Sequence, residues 1–437
     1  MRKLFYLFLF VNISVSTVFS QGIVSGVVKD KNHKPVAYAN VYVKPGFVGT
    51  TSSSDGIFEM ELTPGKYTLY CQNLGYKQFS KQIEVGAGKQ QIEIELTEEL
   101  YALKEVAVTN NKEDPAYEYI RKAIAKRKSY LNEVDAYTCN VYIKGVQKLN
   151  KYPEKFLGKV VDSGGMVDST TGIFYLSESV SKYSYEKPGR IREEMISSRF
   201  SGNNKAFSYN KASDMQFNFY ENRVMSEGIS SKGFVSPVAN DAFFYYRYKL
   251  LGSVVENDRL IHKIEVIPRR QNDPVFRGVV YIVDDLWRFQ FVDLFLTRDA
   301  GIEFLDTLSI KQSFVPVENN VWLPVTNLFD FSFRILGFQG GGNYVGYFSD
   351  FKINPVFPAK TFSAEILKIS PDANKKDSAY WDSIRPIPLT KDETSDYFKK
   401  DSLATIRESK QYKDSMDRIN NRFSVFNFLL AGYSYRH

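Results

Sequence analysis

Hydrophobic and polar residues alternate most clearly in residues 273–355. Two β-rich segments, residues 276–283 and 286–296, flank the acidic pair Asp284-Asp285, an arrangement typical of a hairpin. A third segment, residues 308–314, continues the pattern. Because side chains alternate between the two faces of a strand, this period of two predicts an antiparallel sheet with one apolar and one wetter face.

The clearest single strand lies near residue 330. Phe329, Phe331, Phe333 and Ile335 share one face, and the residues between them are mostly polar. Two interpretations of this face stay open. It is ordinary core, or it faces a lipid or another hydrophobic ligand.

Residues 22–96 contain about seven short β-rich runs, with a turn signal every ten residues or so. Asp55-Gly56 is a strong hairpin turn. This spacing predicts a β-sandwich.

Asp114-Pro115 predicts the start of a helix, with the aspartate as N-cap and proline in the first turn. Apolar residues follow at helical spacing, and a basic set is expected to face solvent: Arg121, Lys122, Lys126, Arg127 and Lys128. One helix packed on a long antiparallel sheet is an α+β arrangement. The fold class is therefore mainly β with an α+β centre.

Three other stretches are less regular. Residues 197–237 show poor periodicity, and Gly340-Gly341-Gly342 is expected to be a flexible hairpin tip. Residues 361–422 are charged and predicted to be helical, with a capping box at Thr390-Lys391-Asp392-Glu393 and a position on the surface. Residues 423–437 are aromatic and apolar, which is typical of a strand rather than of that helical tail.

Six motifs within residues 26–76 together resemble the carboxypeptidase regulatory-like domain. They are Gly26-Val27-Val28-Lys29-Asp30, Pro35-Val36-Ala37-Tyr38-Ala39-Asn40-Val41, Gly49-Thr50-Thr51, Asp55-Gly56-Ile57-Phe58, Gly65-Lys66-Tyr67 and Gly75-Tyr76. The resemblance implies a transthyretin-like sandwich that has no catalytic activity of its own.

The central region resembles a family of Gram-negative outer-membrane proteins of unknown function, domain-of-unknown-function family 5686. The motifs that carry this resemblance include Tyr142-Ile143-Lys144-Gly145, Glu193-Glu194-Met195-Ile196, Tyr245-Tyr246-Arg247-Tyr248 and Tyr281-Ile282-Val283-Asp284-Asp285. In that family a membrane β-barrel begins near the equivalent of residue 423, so the chain is expected to be a fragment or a short form. The sheet and helix are also loosely similar to lipoprotein-carrier half-barrels, which hold acyl chains.

These observations predict six segments. They are a signal peptide (1–20), a regulatory-like sandwich (21–97), a linker (98–113), a central sheet domain (114–360), a charged helical segment (361–422) and the start of a barrel strand (423–437).

The first twenty residues have the form of a secretory signal peptide. A basic start, Met1-Arg2-Lys3, precedes a short apolar run and a cleavage site before Gln21. The predicted location is the periplasm or the outer membrane. The formal net charge is +7, and losing Arg2 and Lys3 lowers it by 2, to +5, which favours solubility over nucleic-acid binding.

Candidate chemistry is sparse. His33, His262 and His437 lack metal-ligand spacing, so neither a metal nor a cofactor is predicted. Asp284, Asp285 and Asp293 have no visible partner base in the sequence. Cys71 and Cys139 leave two outcomes open, a disulfide or two buried thiols.

The sequence thus predicts a non-catalytic periplasmic portion of an outer-membrane-associated protein, with a binding, assembly or export role. Its expected partners are the outer membrane or an assembly within it, and a lipid or glycan ligand. One alternative is a carrier of a hydrophobic ligand. Another is a secreted hydrolase, because regulatory-like domains accompany peptidases in other proteins.

Overall fold

A computed structural model describes residues 21–408 apart from residues 47, 99–112, 157–158, 161–166, 203–209, 227–228, 257–258 and 318–320. The predicted signal peptide (1–20) and the predicted barrel strand (423–437) lie outside the described residues. So does all of the predicted linker except residues 98 and 113.

The N-terminal part is a β-sandwich, as predicted. Its two sheets have the strand orders β4-β1-β7 and β3-β2-β5-β6. Between them lies an apolar core that includes Val24, Val41, Phe58 and Leu69. The seven strands are β1 (Gly22–Asp30), β2 (Asn40–Lys44), β3 (Gly49–Thr51), β4 (Ile57–Leu62), β5 (Gly65–Gln72), β6 (Phe79–Val85) and β7 (Gly88–Leu96).

The rest of the described chain contains a much larger sheet of eleven strands in the order β15-β16-β17-β18-β19-β20-β21-β8-β11-β12-β22. All neighbours are antiparallel except β12 and β22. Two short pairs, β9 with β10 and β13 with β14, lie outside it. The strands are β8 (Ala136–Lys151), β9 (Lys155–Phe156), β10 (Lys159–Val160), β11 (Ile173–Glu186), β12 (Arg190–Phe200), β13 (Arg223–Ser226), β14 (Ser230–Val235), β15 (Tyr246–Glu256), β16 (Arg259–Pro268), β17 (Arg277–Val283), β18 (Arg288–Thr297), β19 (Thr307–Pro316), β20 (Trp322–Ile335), β21 (Phe338–Ile353) and β22 (Leu367–Ile369).

One face of this sheet, here called the inner face, carries the main core. Helix α1 (Pro115–Leu131) and residues 210–246, which include the short helix α2 (Ala242–Tyr245), cover it. Asp114 caps α1 by accepting a hydrogen bond from the amide of Ala116, at 2.9 Å, so the predicted helix start is confirmed. The basic residues of α1 are not all solvated. Arg127 is buried and donates to the carbonyl of Tyr220 and, at 3.1 Å, to the side chain of Asn240.

The expected glycine hairpin tip is wrong. Gly340, Gly341 and Gly342 lie inside β21, where they pair with both β20 and β8. A side chain at Gly340 would meet the carbonyl oxygen of Lys148 at 2.4 Å, so these glycines permit a close approach of backbones. The turn between β20 and β21 is Leu336-Gly337 instead.

The other face, here called the outer face, is covered by the sandwich and by the segment that follows β21. This segment contains β22, helix α3 (Ser378–Ile384) and helix α4 (Lys391–Glu408). The sequence did not indicate β22. Helix α4 has the predicted capping box, but it is not a simple surface helix, because Asp396, Tyr397 and Lys400 are buried.

Candidate functional site: a cleft between the sandwich and the large sheet

The sandwich contacts the outer face through a small set of polar side chains. Asn40 of β2 donates to the hydroxyl of Ser313 at 2.6 Å and accepts from Thr326 at 2.6 Å. The hydroxyls of Thr51 and Thr326 lie 3.1 Å apart. All four side chains are buried, so these bonds fix how the sandwich sits on β19 and β20. We call this group the Asn40 contact.

A cleft of about 840 Å³ opens beside the Asn40 contact. Its walls come from three parts of the chain that are remote in sequence: the sandwich, the outer face of the large sheet, and helix α3. Most of the lining side chains are apolar or aromatic, and they include Tyr42, Val48, Val180, Tyr347, Tyr380 and Ile384. This volume lies within the range of roughly 300–1,000 Å³ that is usual for small-molecule sites.

Polar groups lie toward one end of the cleft. Asn140 donates to a carboxylate oxygen of Asp350 at 2.8 Å. Asp350 has a φ of +52°, where the pairing of β21 with β8 is irregular. The exposed amines of Lys182 and Lys352 also line the cleft and add positive charge at this end. The cleft therefore combines an apolar body with a polar end that includes two cations.

The α3 wall is held by one buried ring and one buried ion pair. Trp381 is fully buried among residues of the outer face, including Tyr142 and Val345. Arg385, just after α3, donates two hydrogen bonds to the carboxylate of Glu178, at 2.6 and 3.0 Å. Tyr142 donates to the same carboxylate at 2.6 Å.

Burial alone would raise the pKa of Glu178, but its hydrogen bonds with Arg385 and the charge of Arg385 outweigh burial and lower it. Glu178 is therefore ionised at neutral pH, and the pair is a charged clamp.

A second buried pair holds the start of α4. Lys144 of β8 is almost fully buried and lies 2.9 Å from the carboxylate of Glu393. The same carboxylate accepts from the amide of Thr390, which closes the capping box. Together, Glu178 and Lys144 attach α3 and α4 to neighbouring strands of the outer face.

The four aromatic and aliphatic residues predicted to face a ligand do not line this cleft. Phe329 is buried against Phe217, with ring centroids 4.8 Å apart. Phe331 stacks on Tyr344, and Phe333 packs against a small cluster near Phe338. Ile335, at the end of β20, is half-buried. The ligand-facing interpretation of Phe329, Phe331, Phe333 and Ile335 stays a prediction.

The structure also supplies a partner for Asp284 that sequence reasoning missed. On the inner face, Nε2 of His262 lies 3.3 Å from Asp284, and Nδ1 lies 2.8 Å from the hydroxyl of Ser253. The imidazole stacks on the ring of Tyr119, with centroids 3.9 Å apart, and the ring of Trp287 lies beside this pair, 6.2 Å from the imidazole and 5.8 Å from Tyr119. Burial lowers the pKa of His262, although Asp284 acts in the opposite direction.

This serine, histidine and aspartate come from two strands and one turn. The pairing Ser253 with His262 in β15 and β16 could have been found only from the strand register.

The described residues offer little else for catalysis. Among them, no three His, Cys, Asp or Glu side chains lie close enough together to hold a metal ion. Cys71 and Cys139 are both free and buried, one in each core. Within the same residues, no helix is both long and apolar enough to span a bilayer.

Comparison with known proteins gives two family matches. The carboxypeptidase regulatory-like domain matches residues 24–108, and the family of unknown function DUF5686 matches residues 119–351. Neither match indicates a catalytic family. None of the curated proteins matches the chain.

Three solved structures illustrate the structural similarities. A LolA superfamily protein from Nitrosomonas europaea is 13% identical, with a TM-score of 0.22, over 57% of this chain and 97% of its own. A DUF1329 family protein from Desulfovibrio piger is 12% identical, with a TM-score of 0.24, over 58% and 98%. A DUF3823 family protein from Bacteroides ovatus is 14% identical, with a TM-score of 0.18, over 41% and 97%.

TM-scores this low do not establish a shared fold. The family models are more direct, because together they cover the sandwich and most of the large sheet. The chain belongs to the DUF5686 family of unknown function and carries a carboxypeptidase regulatory-like domain at its N-terminal end.

Proposed function

We propose that this protein is an exported, non-catalytic binding module that works at the outer membrane, with its ligand in the cleft between the sandwich and the large sheet. The main observation behind this proposal is the cleft, which is bordered by three separate parts of the chain. Sites for small ligands are common where domains meet. A chain with the sequence features of export whose family matches indicate no catalytic family fits binding better than chemistry.

The lining indicates the kind of ligand. Apolar and aromatic side chains from all three walls favour a ligand with an apolar body, since burying it removes apolar surface from water. At the polar end the two amines of Lys182 and Lys352 outnumber the one carboxylate, that of Asp350, which favours an anionic group at that end of the ligand. A fatty acid or another single-chain lipid acid has both properties.

The experiment is a titration of the full chain with a dansyl-labelled fatty acid, followed by fluorescence. We expect saturable binding that Val180→Trp abolishes, because Val180 lines the cleft and the indole would fill it. Val255→Trp is the matched control, since Val255 is exposed on a remote hairpin. Lys352→Gln is expected to weaken binding about three- to tenfold through loss of one partly screened charge.

Equal binding by native protein and Val180→Trp would overturn the cleft as the site. A second readout is native mass spectrometry of protein purified from its own envelope. A co-purifying lipid acid in the native protein and its absence from Val180→Trp would identify the class directly.

The hydrolase alternative has one specific observation in its favour, the contacts among Ser253, His262 and Asp284. Against it, the imidazole is almost fully buried, and the ring of Tyr119 stacks on it. A general base has to reach the proton it removes and a bound substrate. We expect no turnover of a panel of ester and peptide substrates, and hydrolysis that Ser253→Ala abolishes would revive the alternative.

A further inference from the structure

One end of the large sheet, here called the upper rim, carries exposed apolar side chains on separate connections. The rim consists of α2 before β15 and the connections 269–276, 298–306 and 336–337. The strand pairings Tyr246 with Pro268, Thr297 with Thr307, and Ile335 with Phe338 place these connections at the same end of the sheet.

Phe244, Phe304 and Leu336 project from three of these connections and are 82%, 72% and 71% exposed. Leaving such large apolar side chains in water forgoes the favourable free energy of burying them. Single exposed apolar residues are ordinary on protein surfaces. Here, three of the most exposed apolar side chains of the described residues lie on the same rim, which indicates a shared function.

Two of these apolar residues also have an unfavourable backbone conformation. Phe304 has a φ of +63° and Leu336 has a φ of +50°, which bulky residues rarely adopt. Leu336-Gly337 is a two-residue hairpin turn with positive φ at both positions, where asparagine-glycine is the favoured pair. Leucine at the first position is therefore unfavourable for the turn and also exposed to water. A residue that serves neither folding nor solubility points to an external contact.

The geometry of the tips favours a bilayer over a protein partner. Strands lie about 4.8 Å apart, so the tips of 298–306 and 336–337 are separated by about 10 Å and α2 lies further still. Charged residues such as Arg269, Arg270 and Arg334 lie between or beside them and are exposed. A protein interface needs a contiguous dry centre, whereas separated apolar tips with flanking arginines suit the headgroup region of a membrane.

Helix α4 passes the same rim. Lys399 and Lys400 bind Asp168 and the carbonyl of Ile173, and Asp401 accepts from the amide of Gly202. These three partners lie at the rim ends of β11 and β12. With a rise of about 1.5 Å per residue, α4 extends roughly 10 Å further to Glu408. The C-terminal end of α4 therefore lies on the side of the upper rim.

We infer that the upper rim docks on a phospholipid bilayer, with Phe244, Phe304 and Leu336 inserted at the level of the headgroups. This inference rests on the proposed location at the outer membrane and adds the surface and its orientation. Asp299 and Glu303 flank Phe304 and offset the arginines, so insertion of apolar side chains supplies the affinity. Binding is accordingly expected to change less than about twofold between 50 mM and 300 mM salt.

The test uses the full chain with one added cysteine that carries an environment-sensitive fluorophore. Cys71 and Cys139 are buried, so the label goes to the new position. Leu336→Cys and Phe304→Cys report on the upper rim. Val255→Cys, at a position that is 67% exposed at the opposite end of the sheet, is the matched control.

With vesicles of phosphatidylethanolamine and phosphatidylglycerol, we expect the two rim labels to shift to the blue and to be quenched at least threefold more by brominated lipid than the control. Equal quenching at all three positions, or none, overturns the inference. A rim label that is shielded without vesicles, together with a doubled mass in solution, also overturns it in favour of self-association. Titration of the same samples with the dansyl fatty acid shows separately whether the proposed cleft function holds.

Discussion

The two faces of the large sheet are built from different chemistry. The inner face buries mainly apolar side chains, and the chain itself covers it with α1 and residues 210–246. The outer face instead buries Lys144 and Glu178, and it carries the Asn40 contact and the cleft. Apolar packing is non-directional and strong in sum, whereas buried polar contacts are directional and fix one arrangement. The inner face therefore provides stability, and the outer face fixes the positions of the sandwich, α3 and α4.

The largest expected effect tests the inner face. Phe289 is buried, with its ring centroid 5.1 Å from that of Tyr220. Phe289→Ala is expected to lower the free energy of unfolding by about 3–5 kcal/mol, from lost transfer energy and the cavity left behind. Urea denaturation measures this. The control Phe244→Ala changes an exposed ring and is expected to stay within about 0.5 kcal/mol of native.

The next effect tests the charged clamp of the outer face. Arg385→Met leaves Glu178 buried, with Tyr142 as its remaining donor among the contacts described above. An uncompensated buried charge typically costs about 3 kcal/mol. The double variant Glu178→Gln with Arg385→Met is expected to be more stable than Arg385→Met alone, because it removes the stranded charge. If both variants unfold at the same urea concentration, the clamp is not an ion pair.

The dependence of this clamp on pH has a definite sign. The pKa of Glu178 is lowered in the folded protein, so its stabilisation is present above the ordinary glutamate pKa of about 4.3 and is lost as the pH falls through the folded value. In Arg385→Met the buried carboxyl loses its cation and its pKa rises. We therefore expect the stability difference between native protein and Arg385→Met to shrink as the pH falls from 7 to 4.

His262, on the inner face, makes the stability depend on pH in a second, higher pH range. Burial lowers its pKa, so the unfolded chain takes up the proton first, below an ordinary histidine pKa of about 6.5. Its contribution is complete above that value and decreases as the pH falls below it. His262→Gln is expected to reduce the dependence of the free energy of unfolding on pH between pH 5 and 7. The dependence at lower pH, which comes from Glu178, is expected to stay unchanged. An unaltered profile would show that the pKa of His262 is the same in the folded and unfolded states.

Local signals in the sequence predicted local structure well. The N-cap at Asp114, the capping box at Thr390 and the turn at Asp284-Asp285 each depend on a few adjacent residues, and each is present. The alternation near residue 330 likewise predicted β20. These features follow from short-range sterics and hydrogen bonding, which a sequence displays directly.

The site was not predictable, because its contacts are between residues far apart in the chain. Asn40 and Ser313 are 273 residues apart, and Glu178 and Arg385 are 207 apart. The glycine triplet was misassigned for the same reason. Glycine suits both tips and close backbone approaches, and the crowding by Lys148 that decides between them comes from another strand.

A smaller effect tests how the sandwich is held. Asn40→Ala removes the hydrogen bonds of Asn40 with Ser313 and Thr326, and the Thr326 hydroxyl then keeps only its contact with Thr51. We expect a loss of about 1–2 kcal/mol in docking, with no change in the sandwich core. Small-angle scattering should show a larger radius of gyration, and the dansyl fatty acid should bind more weakly. Unchanged scattering and affinity would show that the cleft does not depend on this contact.

The smallest effect has the opposite sign and separates stability from function at the upper rim. Leu336→Asn places the favoured residue at the first position of a positive-φ turn, so it is expected to raise the free energy of unfolding by up to about 1 kcal/mol. The same change removes one apolar tip and is expected to weaken vesicle binding severalfold. Leu323→Asn, at a half-buried position inside β20, is the control and is expected to be destabilising. If Leu336→Asn raises the free energy of unfolding but weakens vesicle binding, the exposed leucine contributes to membrane contact and not to folding. If the leucine had a role in folding, the substitution would lower both the free energy of unfolding and vesicle binding.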